Sequence, residues 1–307
     1  MGGYEFKGEP DITMAKFCAK TFLLLAVLLI LPGCEPAEED KPSYTLFEQD
    51  GFTIIRTKAE NIKPETIREP ICSNNIRELG YCGINAGFFN TVYREERPAD
   101  EDFISVSISW SKEDEQNGLE VCKVSTRDPE RVALGESPYI ARGTLYLCAN
   151  ESSHEEAGVI TAESCDDVRK QIGKDLDFIY MIGGGNFYLG NYPGLGGWDK
   201  WKEEKYLEEG PLVIETSKTG RSGIGIKKEG DIWYAYLVAS GTNGEEIPKT
   251  LEELRALFVS LECFEAIYLD GAGSSQMRCI RPDGEIVEKP GDNRYIWSMV
   301  RLIDVRP

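Results

Sequence analysis

Three stretches of this chain run a short apolar strand straight into glycine, with a polar residue at the exit: residues 81–89 (YCGINAGFF), 178–186 (FIYMIGGGN) and 266–275 (AIYLDGAGSS). Glycine lets backbone N–H groups approach a ligand closely, and polar groups at the ends of buried strands are where open sheets place their sites. A chain built this way folds around strands. If the three exits meet, they form an anion-binding pocket containing one carboxylate, that of Asp270.

The remaining pattern is mixed α+β and rich in strands. Residues 44–47 and 52–58 flank Asp50-Gly51, a hairpin signal, and residues 222–227 and 232–238 flank Glu229-Gly230-Asp231, a second one. Alternation predicts strands over 103–110 and 143–148. Residues 164–173 read as a helix that ends at glycine before a strand at 178–182. Thr250 caps another helix, with Glu253 three residues on and Leu251, Leu254, Leu257, Phe258 and Leu261 on one face. That helix leads into the strand that ends at Asp270, and residues 295–305 make a closing strand. The expected architecture is a single strand-rich domain with helices packed on its sheet.

The N-terminus carries a location signal. Lys16 and Lys20 precede an apolar run over residues 22–31, which ends in Leu31-Pro32-Gly33-Cys34 and passes into the acidic, proline-containing residues 35–42. The run is too short to span a bilayer as a mature helix, and the order of charge, apolar core, small residue and cysteine reads as a lipoprotein signal over 1–33, with lipid on the Cys34 sulfur. An ordinary signal peptide or an uncleaved anchor is the alternative. Residues 34–44 then form an acidic linker and 45–307 one domain. The expected place is the bacterial cell envelope, exported and held at the membrane by lipid.

Residues 1–33 carry three positive and three negative charges, so the formal net charge of −19 belongs to residues 34–307. A surface that acidic repels nucleic acid and anionic headgroups, and excludes a nucleic-acid partner. An anionic substrate would need a local cation. Beyond Cys18 and Cys34 the cysteines are Cys72, Cys82, Cys122, Cys148, Cys165, Cys263 and Cys279. None has CxxC spacing, and an exported protein forms disulfides, so bridges are expected before a zinc site, with an odd thiol left over. Small buried hydrophobes are the plainer reading of several. No cofactor is called for; a divalent metal stays open, without EF-hand spacing to argue for calcium.

Asp270 sits at the end of an apolar strand, where burial raises a carboxylate's pKa unless donors stabilise the ion. The N–H groups of Gly271, Ala272, Gly273 and Ser274 could be those donors. It suits a reactive carboxylate, and it equally suits an aspartate capping its own turn. Ser274 and Ser275 read as turn hydroxyls or as contacts for phosphate or sugar beside Gly271 and Gly273. A serine nucleophile lacks a base, since the one histidine, His154, lies in a polar loop. Arg221, between Gly220 and Ser222-Gly223, is the candidate cation, or a surface ion-pair partner. Asn85, before Gly87, hydrogen-bonds a sugar hydroxyl or orients a water, or else satisfies its own turn. Gly184, Gly185 and Asn186 form a weaker case of the same kind. Trp198 and Trp201 lie in a glycine- and aromatic-rich segment, 190–210, and read as core or lid packing, with no role assigned beyond a lid.

GINAGFF at 83–89, GRSGIGI at 220–226 and YLDGAGSSQM at 268–277 together resemble the three ordered motifs of the phosphodiester glycosidase family, over roughly residues 45–305. Ala86 and Ala272 stand where the family has glycine, and Ser222-Gly223 where it has Thr-Ala. The alanines are expected to be tolerated unless a positive φ is required. The resemblance implies a hydrolase that cleaves a sugar-1-phosphodiester bond in a surface glycan or polysaccharide. It tips Asp270, Arg221 and Asn85 toward catalysis, and Gly87, Gly184, Gly185, Asn186, Gly271, Gly273, Ser274 and Ser275 toward substrate binding. A non-catalytic glycan-binding lipoprotein is the alternative that the same pocket allows.

Overall fold

The computed structural model describes residues 43–67, 75–91, 103–105, 107–116, 122, 141–150, 152, 154–190, 218–242, 247–292, 294–303 and 305. The expected signal segment and Cys34, together with Cys72, Trp198, Trp201 and the rest of the expected lid from 191 on, lie outside the described residues.

In chain order, β1 (Tyr44–Gln49), β2 (Phe52–Lys58) and β3 (Ile62–Thr66) lead to a helical turn, α1 (Ile76–Leu79). Four short strands come next, β4 (Gly83–Asn85), β5 (Phe89–Thr91), β6 (Phe103–Ser105) and β7 (Ser109–Ser111), then the turn α2 (Lys112–Gln116). A long hairpin, β8 (Arg142–Ala149) and β9 (Glu155–Ala162), precedes helix α3 (Cys165–Ile172) and β10 (Asp177–Asn186). A second, β11 (Ser222–Glu229) and β12 (Ile232–Ala239), precedes helix α4 (Leu251–Ser260) and β13 (Glu265–Tyr268). The chain closes with β14 (Met277–Ile280), β15 (Ile286–Lys289) and β16 (Ser298–Leu302).

The larger sheet runs β1-β2-β12-β11-β13-β10-β8-β9, with β7 also on β10, and the smaller runs β15-β14-β4-β16-β3. Alternation along β11 decides the layers. Ile224 and Ile226 join a core with Ile84, Met277, Val300 and Leu302 of the smaller sheet, so the two sheets pack face to face. Gly223 and Gly225 take the opposite face, where α4 lays Leu254, Leu257 and Phe258 against Ile54, Val238 and Ala266. A Cβ on Gly225 would lie 2.6 Å from the Phe258 ring and from the Cys263 sulfur, so glycine there lets the helix sit on the sheet. Helix α3 covers the far part of the same sheet through Val168 against Trp110, Phe178 and Met181. The α+β reading thus holds as helices on a sheet, within a mostly β sandwich.

Local signals explain the elements that sequence located. Asp50 and Gly51 have φ of 52° and 77°, the two positive values of a type I′ hairpin, and Gln49 pairs Phe52 directly. Thr250 accepts from the Glu253 N–H while Glu253 accepts from the Thr250 N–H, a complete capping box. Three expectations need correction. Residues 103–110 are not one strand: the chain breaks into β6 and β7, where Ile108 O accepts from Gly183 N at 2.7 Å and Ser107 Oγ from Phe88 N at 2.9 Å. Strand β10 does not end at residue 182 but continues through its glycines to Asn186. The closing strand is only Ser298–Leu302; before it, Trp297 O still accepts from Ile67 N at 2.9 Å and Arg294 O accepts from Gln276 Nε2 at 2.6 Å.

Candidate active site

The glycine stretches meet, though not all at their exits: antiparallel pairing carries the exit of β10 toward the start of β13, where Phe187 N donates to Ala266 O at 3.0 Å, so it is Gly183, the first glycine of that stretch, that reaches the Asp270 end. The ladder between β10 and β13 holds Gly185 to Tyr268 and Asn186 to Ile267, and the segment after β4 comes in beside Gly183 and Asp270, next to where those pairs stop. Asp270 N donates to Ala86 O at 3.3 Å, and a Cβ on Gly87 would lie 2.6 Å from Gly183 O. The glycines of β10 serve the same approach. A Cβ on Gly184 would reach Tyr268 O at 2.4 Å and one on Gly185 would enter the Tyr268 ring at 1.8 Å. Gly184 and Gly185 are laddered to Gly143 and Tyr268, so they sit beneath the site as spacers within the sheet.

Asn85 ties the motifs together. It is 1% exposed. Its Nδ2 donates to Asp270 O at 2.7 Å, and its Oδ1 accepts from Ser222 Oγ at 2.7 Å and Gln276 N at 3.0 Å. Ser222 also meets Ser275 Oγ at 2.8 Å, and Ser275 donates to Ser240 O at 3.0 Å. Both ends of the Asn85 amide and the Ser275 hydroxyl are thus engaged within the protein, as a clamp under the Asp270 turn. Asn186 accepts from Tyr188 N at 2.7 Å, which shapes the turn leaving β10.

Arg221 and Asp270 lie just beyond the paired ends of β11 and β13. Tyr268 pairs Gly223, and Leu269 N donates to Ser222 O at 2.9 Å, so that register continued by one step brings Asp270 to the level of Arg221. Arg221 is fixed by its N–H to Ser240 Oγ at 3.0 Å and its Nε to Lys249 O at 3.2 Å. A Cβ on Gly271 would lie 3.7 Å from the Arg221 guanidinium, so glycine keeps that space open. Arg221 is 8% exposed; burial lowers its pKa, the Tyr268 phenol opposing, and a guanidinium stays charged through such a shift.

The turn after Asp270 is tight. Ala272 has φ of 51°, donates to Gly220 O at 2.8 Å and accepts from Thr242 Oγ1 at 3.0 Å. Ala272 is therefore the alanine at which the family's glycine meets a left-handed requirement, whereas Ala86 is buried without one. Ser274 is fully buried, and its hydroxyl has no partner among the described residues. A Cβ on Gly273 would lie 2.2 Å from an oxygen of Asp292, which brings a second carboxylate against the turn.

An aromatic wall closes one side. The Tyr268 ring is 5.8 Å from Phe88, edge to face, and 5.2 Å from Phe187. Arg142, 3% exposed, lies 5.3 Å over the Phe88 ring. Sequence reading gave no role to Arg142, Tyr268, Ser240, Thr242 or Asp292. Tyr268 stood inside a quoted motif; Asp292 and Arg142 had only a neighbouring glycine as a signal. Among the described residues, no group of three or more His, Cys, Asp or Glu is arranged to hold a metal ion.

Comparison with curated proteins gave no match. Among solved structures, a protein described as exported, from Burkholderia pseudomallei, is 9% identical with a TM-score of 0.43, covering 82% of this chain and 73% of that one. A hypothetical protein from Synechocystis is 12% identical with a TM-score of 0.39, covering 84% and 61%. The profile of the phosphodiester glycosidase family matches residues 81–302, which contain all three converging motifs. By that match this chain belongs to the phosphodiester glycosidase family.

Proposed function

We propose that the protein hydrolyses a glycosyl phosphodiester, the bond between an anomeric carbon and a phosphate esterified on its other side, in a cell-surface glycan. The observation that carries this reading is a buried guanidinium at the end of β11, one step of the strand register from Asp270, with glycine at 271 keeping the space beside that guanidinium clear. A departing phosphate monoester is a weak base, so the general acid that ordinary glycosides require matters less than a cradle for charge. Arg221 takes the phosphate oxygens in two-pronged fashion. Ser274, buried with an unsatisfied hydroxyl, supplies a further contact to an incoming oxygen. Asp270 acts at the anomeric carbon, as nucleophile or as base toward water. Asn85 acts through Asp270, whose carbonyl it holds, and is a positioning residue. In the same reading the protein works outside the cell, tethered by lipid on Cys34.

The test is a hydrolysis screen of purified residues 35–307 on α-glycosyl phosphodiesters beside aryl α-glycosides. The expected products from the phosphodiesters are free sugar and phosphate monoester. Binding of glycan without turnover of any substrate would leave the pocket as a carbohydrate receptor instead.

A further inference from the structure

The six described cysteines, Cys82, Cys122, Cys148, Cys165, Cys263 and Cys279, are thiols in this structure, yet four of them meet in pairs. In the ladder of β4 with β14, Met277 pairs Ile84 and Arg278 pairs Gly83, which carries Cys279 opposite Cys82. Asn85 N donates to Gln276 O at 3.1 Å across the ladder, and Gln276 N answers to the Asn85 side-chain Oδ1 at 3.0 Å, so this is a hydrogen-bonded position of the ladder. Alternation then makes Cys82 and Cys279 a pair of the other kind, and Cys82 O accordingly turns outward to accept from Leu302 N at 2.9 Å. Such pairs have Cα atoms about 4.5 Å apart with side chains drawn together, inside the span a disulfide bridges. Both residues lie in the core between the sheets. The second pair lies under α3: Cys165 N donates to Cys122 O at 3.0 Å, and both side chains belong to the cluster around Val168 and Trp110.

We infer that Cys82 with Cys279, and Cys122 with Cys165, are joined as two disulfides in the oxidised protein. The first bond fixes the strand pair that carries Asn85 and Gln276, and so the clamp beneath Asp270. The thiols are prepared unequally. The hydrogen bond from the Cys279 thiol lowers the pKa of Cys82 against the opposing effect of burial, with the Arg278 guanidinium assisting, which favours Cys82 as the attacking thiolate while the strands are closing and the oxidant still reaches them. It attacks a disulfide oxidant, such as oxidised glutathione or an oxidoreductase disulfide, and expels one thiolate. The Cys279 sulfur, on losing its proton, attacks the mixed disulfide and expels the second. Two protons and two electrons leave the pair, and the oxidant is reduced to two thiols. Cys148 and Cys263 are placed otherwise: Cys148 is laddered to Phe178 and Glu156 and Cys263 lies against Gly225, and burial pushes their thiols up to about 11 and about 12.

The test needs neither export nor catalysis. Reduced protein is refolded in a glutathione redox buffer, alkylated in denaturant, digested without reduction and mapped by mass spectrometry. The expected map links Cys82 to Cys279 and Cys122 to Cys165, with Cys148 and Cys263 alkylated. Reductant should lower the thermal midpoint by about 10 °C. Alkylation of all four, or any other linkage among them, overturns the inference. In Cys279→Ala the Cys122–Cys165 link should persist and Cys82 become alkylatable; transfer of Cys82 to a different cysteine would also overturn it.

Discussion

Ala272 stands in a left-handed backbone conformation at φ of 51°, held there by Gly220 O and Thr242 Oγ1 on either side. For a residue with a Cβ that conformation is strained by roughly 1–2 kcal/mol, part of which glycine gives back as chain entropy. Ala272→Gly is therefore expected to raise stability by about 1 kcal/mol, read as an upward shift of the urea midpoint; an unchanged or lowered midpoint would contradict the strain. Sequence showed the departure from glycine but not its weight, because φ is set by partners just before β11 and just after β12. Asn85 and Ser275 are related cases. A polar side chain at a strand end can serve a ligand or a neighbouring strand equally well until its partners are known. For Asn85, one deciding partner, Gln276, lies 191 residues away.

At the scale of elements, α4 depends on its cap and on the glycine beneath it. Gly225→Ala places a Cβ 2.6 Å from both Phe258 and Cys263, an overpacking expected to destabilise by about 2 kcal/mol. Thr250→Ala removes the cap and is expected to cost about 1 kcal/mol. Both are read by denaturant unfolding, and a neutral Gly225→Ala would mean that the helix is not seated there. Glu253 adds a pH dependence. Burial raises its pKa, but the Thr250 N–H and Lys249 outweigh that, and the folded value is lowered. A lowered carboxyl stabilises above its unfolded pKa and loses that contribution as pH falls through the folded one. Wild type should accordingly lose more stability than Glu253→Gln on acidification through the lower carboxylate range; parallel loss would remove the role. The capping box and the Asp-Gly hairpin were legible because their signals are local. The break between β6 and β7 was not, since it answers to Phe88 and Gly183, which lie in other elements.

Over the whole molecule, two sheets and an outer layer of helices bring three distant motifs to one end of a sheet, and the order of those motifs was readable before their meeting. The depth of the clamp beneath Asp270 was not, because it is assembled from Asn85, Ser222, Ser240 and Ser275, none unusual by itself. An acidic protein of this kind has no electrostatic attraction to an anionic membrane. Cys34→Ala should move it from the membrane to the soluble fraction without unfolding it, and retention of that variant in the membrane would count against the lipid anchor.

At the centre of the proposed chemistry, Arg221 stabilises charge on a departing phosphate while Asp270 works at the anomeric carbon. Steady-state rates of wild type, Arg221→Ala and Asp270→Asn on one sugar bearing either a phosphodiester or a neutral aryl leaving group test it most directly. Asp270→Asn should abolish turnover. Arg221→Ala should slow phosphodiester cleavage by on the order of a hundredfold or more, and aryl glycoside cleavage, where it occurs, far less. Wild-type rates in Asp270→Asn, or equal slowing of both leaving groups in Arg221→Ala, would contradict it.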